Sequence, residues 1–217
     1  MKKLHSVSSS HLARSTAILN IGPLLISQGR HAEGCKVTEK VVLEAKSVCT
    51  SSGTSGSPEV QALYHAHGLR SLAFLCPFVT DAASVNENCK VVILAVCFFN
   101  MAVALQAGAM SLGPEDRWER LEQARSYCKC SLSLIDDDDI LDPDESLIYI
   151  YLASCYNKAG LELEQWSDGA TYWMEVLENS FMAFPPDTNS FIYRYLERAL
   201  HWKHTVFFSN TALRIAP

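Results

Sequence analysis

The sequence predicts an all-α fold of antiparallel helix pairs stacked side by side and closed by a C-terminal capping helix. Two observations carry this prediction. First, three stretches can be written under one another, each reading as helix, short turn, helix: Ala17 to Val42, Phe98 to Ile135, and Ile150 to Leu177. Weak self-similarity of this kind is the mark of helical-repeat proteins, whose units bury their apolar faces only by stacking. Second, the connectors between apolar stretches are rich in Gly, Pro, Ser and Asp, while a hydrophobic share of 48% against 19% charged residues supplies ample core.

Residues 1–10 are polar and read as a frayed terminus. The first helix pair is placed at 11–49. Leu12, Ile18, Ile21, Leu24 and Leu25 fall along one face, and Gly22-Pro23 is expected to interrupt that helix, because proline lacks a backbone donor. Gln28-Gly29-Arg30 closes it, and a second helix is expected from His31 to Val48.

Residues 50–86 read as a Ser/Gly-rich loop and an irregular insertion. Within it, Ser57-Pro58-Glu59 has the cap, N1 proline and early acid of a helix start, so a helix carrying Val60, Leu63, Tyr64 and Leu69 is expected. The second pair spans 87–135, with a long helix from about 88 to 110 and another opened by Pro114-Glu115-Asp116 and ending near Ile135. Residues 136–145 form an acidic connector, since seven carboxylates within ten residues repel one another and seek water. The third pair covers 146–180, its helices divided at Gly160. A capping helix is expected at 189–208, after Pro185-Pro186.

Val91 to Leu112 is a run of 22 residues without a charge, long enough to cross a bilayer. Asn100 and Gln106 inside it would each cost free energy in lipid, and no Trp or Tyr belt flanks it. A first helix covered by neighbours on several sides would be apolar nearly all round for a different reason. The buried helix is the reading taken, and a single-pass membrane anchor over 91–112 is the alternative.

In each stretch a small residue on the first helix, namely Gly22, Ala102 and Ala153, is followed three positions later by a bulky one: Leu25, Leu105 and Tyr156. On the second helix Gly34, Ala124 and Gly169 match, with Val41-Val42, Ser131-Leu132 and Val176-Leu177 seven and eight residues further on. This arrangement resembles the tetratricopeptide repeat family across about half the chain. The first unit keeps the family spacing of twelve residues between Gly22 and Gly34. The second needs about ten extra residues and the third about four, and His31 stands where an aromatic is usual. The resemblance implies a non-enzymatic protein–protein interaction scaffold that holds a peptide or helix of another protein on a concave face. One subgroup of the family grips chaperone C-terminal carboxylates with Lys and Asn on successive first helices. The matching positions here are Leu19 and Pro23, Phe99 and Val103, Ile150 and Ser154, so that type of partner is not expected. The residues expected to line the concave face, exposed to solvent, are Asn20, Ser27, Asn100, Gln106, Asn157 and Lys158.

Other chemistry finds no convergent set of residues. His65 and His67 point to different faces of a helix, and His201 and His204 lack an acidic or Cys partner one turn away. Cys128-Lys129-Cys130 has no second pair to complete a zinc site. The acidic run lacks the glycine and alternating oxygens of a calcium loop. No catalytic, cofactor or metal residues are therefore expected, and no cofactor. The 18 Lys and Arg are scattered against a net charge of −6, which argues against nucleic acid. Eight cysteines, several inside apolar runs, with no apolar segment in the first fifteen residues, point to a reduced intracellular compartment, the cytoplasm first. Tyr149, Tyr151, Tyr156, Trp166, Tyr172 and Trp173 form an aromatic-rich group read chiefly as core.

Overall fold

Helices dominate. The structure is a computed structural model that describes residues 19–48, 60–63, 73–81, 90–135, 145–165 and 169–183, with Arg194. Helix α1 covers 19–27 of these, followed by α2 (His31–Val48), strands β1 (Val60–Ala62) and β2 (Phe78–Thr80), α3 (Lys90–Ala109), α4 (Pro114–Ile135), α5 (Glu145–Glu164) and α6 (Gly169–Ala183). The capping helix expected at 189–208 lies outside the described residues except for Arg194, which is helical. The acidic connector, except for Glu145, which opens α5, and the four histidines 65, 67, 201 and 204 also lie outside them.

A tight turn joins α1 to α2. Gly29 takes φ +82°, which a side chain would strain, and Arg30 N–H donates back to the Leu25 carbonyl at 2.8 Å. The two helices touch backbone to backbone. A Cβ on Gly34 would meet the Gly22 carbonyl oxygen at 2.8 Å and Ile26 Cγ1 at 2.5 Å, and one on Gly22 would collide with Thr38 Oγ1. That hydroxyl donates to the Gly34 carbonyl at 2.9 Å. The helix runs unbroken through Gly22-Pro23, where an interruption was expected. Pro23 forgoes only one ladder bond, and the close approach at Gly22 offsets that loss.

Each helix packs on its successor, α2 on α3, α3 on α4, α4 on α5 and α5 on α6. Helix α3 lies at the centre, touching α2, α4, α5 and β2, which explains why it carries no charge from Val91 to Ala109. It is long and apolar enough to cross a membrane, yet 72% of its most apolar stretch is buried against the rest of the chain. Leu19, Val41 and Val42 meet Leu94, Cys97 and Met101 in one cluster, and Ala102, Leu105, Leu121, Ala124 and Leu161 form another. The largest cluster gathers Phe74, Phe78, Phe99, Ile150, Tyr156 and Leu177.

Two sequence expectations are corrected here. Val60–Ala62 is a strand, not the start of a helix: it pairs antiparallel with Phe78–Thr80, Gln61 opposite Val79. Long-range pairing outweighs a local capping signal. Helix α5 does not stop at Gly160 but continues to Glu164. Glycine costs a helix about 1 kcal/mol, and burial of Ala159 and Leu161 on either side of it overrides that cost.

Gly34→Ala should destabilise the protein by about 1–3 kcal/mol, because the new methyl meets backbone that has no rotamer with which to yield, and this exceeds the helix-propensity gain. Gly113→Ala, with open space around it, is the control; urea denaturation of both variants checks the difference.

Candidate functional site

The chain running from Ala73 to Thr80 is almost wholly buried: Phe74, Cys76 and Phe78 have no exposed surface. Every backbone N–H and C=O on such a segment needs a partner or costs free energy. A sheet normally supplies partners from strands on both sides, but among the described residues only one side has a strand. Leu63 N–H donates to the Pro77 carbonyl at 2.8 Å, and Val79 lies opposite Gln61, so residues 77 and 79 turn their backbone to β1. Residues 74, 78 and 80 turn theirs the other way.

Three asparagines meet them, one from each of α1, α3 and α5. Asn157 Nδ2 donates to the Phe74 carbonyl at 2.9 Å while Phe74 N–H donates to Asn157 Oδ1 at 2.6 Å. Asn100 does the same for Phe78, both bonds at 2.8 Å. Asn20 does it for Thr80, donating at 2.7 Å and accepting at 3.0 Å. A carboxamide carries the same donor and acceptor as a peptide unit, so each asparagine acts as one residue of a missing strand. Phe74, Phe78 and Phe99 close over the segment with ring centroids 5.0–6.3 Å apart. The arrangement grips an extended backbone irrespective of most side chains.

The six residues expected to line a solvent-facing groove divide into three groups. Asn20, Asn100 and Asn157 do line one face together, but that face is filled by the chain's own segment, and Asn100 and Asn157 are fully buried. The expectation that they are exposed is corrected: an amide inside an apolar helix is retained because it satisfies buried backbone. Lys158 is also buried, at 7% exposure. Its Nζ lies 2.6 Å from Glu162 Oε1 and 5.8 Å from the centre of the Trp173 ring. Arg125 reaches the other oxygen of Glu162 at 3.1 Å and also pairs with Glu122, whose hydrogen bond holds the guanidinium above its ordinary range. Lys158 therefore packs between Glu162 of its own helix and Trp173 of α6 instead of facing solvent, and Glu162 carries the link to α4 through Arg125. Gln106, at 4% exposure, has no hydrogen-bond partner for either amide atom. Ser27 is half-buried, and its hydroxyl donates to the Leu24 carbonyl one turn back.

The signal that locates the three asparagines is present in the sequence. Asn20-Ile21-Gly22, Asn100-Met101-Ala102 and Asn157-Lys158-Ala159 share the pattern Asn, any residue, small residue. Anchoring the third unit on Ala153 hides it, because Ala153 and Ala159 are both small and both fully buried. With Ala159 as the anchor the three asparagines align.

No group of three His, Cys, Asp or Glu suited to a metal occurs among the described residues. Cys128 is buried and Cys130 exposed, so the two thiols do not share a face. Of the aromatic group, Tyr156 is fully buried, Tyr149 and Tyr151 pack partly buried against the largest cluster, and Tyr172 is exposed with its ring edge-on to Trp173; Trp166 lies outside the described residues. Burial pushes the Cys97 thiol up to about 12. Comparison with protein-family models, curated proteins and solved structures gave no match.

Asn100→Ala should destabilise the fold by about 2–4 kcal/mol, since it strands a buried N–H and a buried carbonyl. Asn20→Ala, at a half-buried rung, should cost less; guanidinium unfolding of both measures the gap. Cys97 should resist iodoacetamide at pH 8 while Cys130 reacts, as read by mass spectrometry of the native protein. Because the folded value of Cys97 is raised above the unfolded one near 9, its neutral form is favoured in the fold. Its contribution is therefore intact below pH 9 and declines as pH climbs toward 12.

Proposed function

We propose that the chain is a non-enzymatic protein–protein interaction scaffold, a TPR-like superhelix whose first helices α1, α3 and α5 line a concave face that holds extended polypeptide. The observation that carries this reading is the row of three asparagines, each making two hydrogen bonds to the backbone of one extended segment. The close approach of Gly22 and Gly34 adds support, since tight helix pairs are the unit of such arrays. The segment 73–80 is a permanent filling of the middle of that face. Releasing it would uncover Phe74 and Phe78, which costs about 1.5–3 kcal/mol for each. A partner therefore docks on the parts of the face that the segment leaves open.

The partner is another protein and not a nucleic acid, in keeping with the acidic balance of the chain, and not a carboxylate-clamped chaperone tail. The working compartment is reduced and intracellular, the cytoplasm first. Six free cysteines among the described residues suit it. A membrane anchor over 91–112 draws less support, because α3 spends its apolar surface and its Asn100 amide inside the fold.

Ser27 lies seven residues after Asn20, on the same face of α1, whereas Lys40 is exposed on α2. A photo-crosslinking residue placed at Ser27 of the full chain should capture a partner polypeptide in cell extract, and one at Lys40 should not. Equal capture from both positions, or none from Ser27, would remove the concave face from the account.

A further inference from the structure

A cleft of about 450 Å³ lies between α2 and α4, with Ala104 and Leu105 of α3 at its floor. None of the three asparagines lines it. Its volume falls within the range of small-molecule sites, about 300–1,000 Å³. Cys35 and Leu112, both half-buried, add apolar wall. Five charged side chains also line it: Lys36 and Glu39 from α2, and Asp116, Glu119 and Arg120 from α4.

None of the five forms an ion pair among the described residues, where Arg30, Arg117, Arg125 and Lys158 all do. Asp116 and Arg120 are four positions apart on one helix, the spacing at which opposite charges meet. Arg120 turns inward instead and is half-buried. A Cβ added to Gly108 of α3 would stand 3.6 Å from its Nη1 and 3.8 Å from His31 Cβ, so the guanidinium lies across α3 toward the start of α2. A guanidinium carries several N–H donors, and one partly withdrawn from water gains from an anion beside it. Cys35 marks how near the opposite charge stands. Burial raises its thiol most, Glu39 raises it further, and Arg120 lowers it. Positive charge on one wall and negative charge on the other thus flank one thiol without pairing.

We propose that this cleft binds a small zwitterion with an apolar body, such as a free α-amino acid with a large apolar side chain. Arg120 takes the carboxylate by paired hydrogen bonds, Glu39 takes the ammonium, and the apolar body rests on Leu105, Cys35 and Leu112. A simple anion would face the three carboxylates of the lining, and a simple cation would face Lys36 and Arg120. A molecule carrying both signs a few atoms apart meets neither penalty. The inference does not rest on the scaffold reading, and either can fail alone.

Titration of the isotope-labelled full chain with L-leucine, L-methionine and L-phenylalanine, read by NMR amide shifts, tests this. At millimolar concentration at least one of the three should shift the amides of Cys35, Leu105 and Arg120 together. N-acetylation of that amino acid, or amidation of its carboxylate, should each weaken binding by about tenfold or more, since a hydrogen bond to a charged group is lost. Arg120→Gln and Glu39→Gln should weaken it to a similar degree, and Lys129→Gln, exposed on α4 outside the cleft, should leave it unchanged. Both cleft variants should keep the wild-type urea midpoint, because neither side chain is paired in the fold. No shift with any of the three, or shifts only at amides away from the cleft, would overturn the proposal. Full binding of the N-acetyl derivative would leave a site for a simple anion, full binding of the amide a site for a simple cation, and each overturns the zwitterion. A lowered midpoint for Arg120→Gln would give the guanidinium a structural role and overturn the proposal as well.

Discussion

A buried extended segment must have both edges of its backbone satisfied, and this constraint organises the structure. Among the described residues, the chain running from Ala73 to Thr80 has one strand beside it, along its Phe78–Thr80 end. Helices cannot lend their own backbone amides, which are spent within each helix. Side-chain carboxamides are the remaining peptide-like groups, and one from each of α1, α3 and α5 fills the gap. Asparagine suits the role because its short side chain loses little rotamer freedom and presents donor and acceptor in one plane.

That requirement fixes other features. Three helices must set their asparagines along one line, which places α1, α3 and α5 around the segment and leaves α2, α4 and α6 to pack on their other sides. Close packing between partners keeps the line straight, and the contact of Gly22 with Gly34 shows how close it becomes. The buried pair of Lys158 and Glu162, joined by Arg125 and capped by Trp173, ties α4, α5 and α6 together one residue after Asn157. Phe74 and Phe78 then convert the gripped segment into the centre of the largest apolar cluster. Backbone satisfaction and hydrophobic burial thus act on the same eight residues, each making the other possible.

Much of the helical framework was legible in the sequence because it rests on local signals. The bounds of α2 at His31 and Val48, and of α4 at Pro114 and Ile135, follow from the Gly29 turn and the Pro114-Glu115-Asp116 start. The role of residues 73–80 was not legible, since it depends on partners 22, 60 and 83 positions away that no local pattern announces. Strand β1 was hidden behind a helix-capping signal for the same reason. The candidate site was half visible. Asn20, Asn100 and Asn157 stood out as polar residues on first helices, but polarity suggested exposure, whereas their function is to be polar where water is excluded. Gln106 shows the same disguise, polar in sequence and buried in the fold.

Side-chain amides must hold the internal segment as firmly as a strand would. Native-state hydrogen exchange of the Phe78 and Thr80 backbone amides reads this directly, because exchange requires those two bonds to open. The account predicts protection close to that of the central amides of α3, with Thr80 somewhat faster at its half-buried rung. Exchange of both at the rate of an open chain would contradict it.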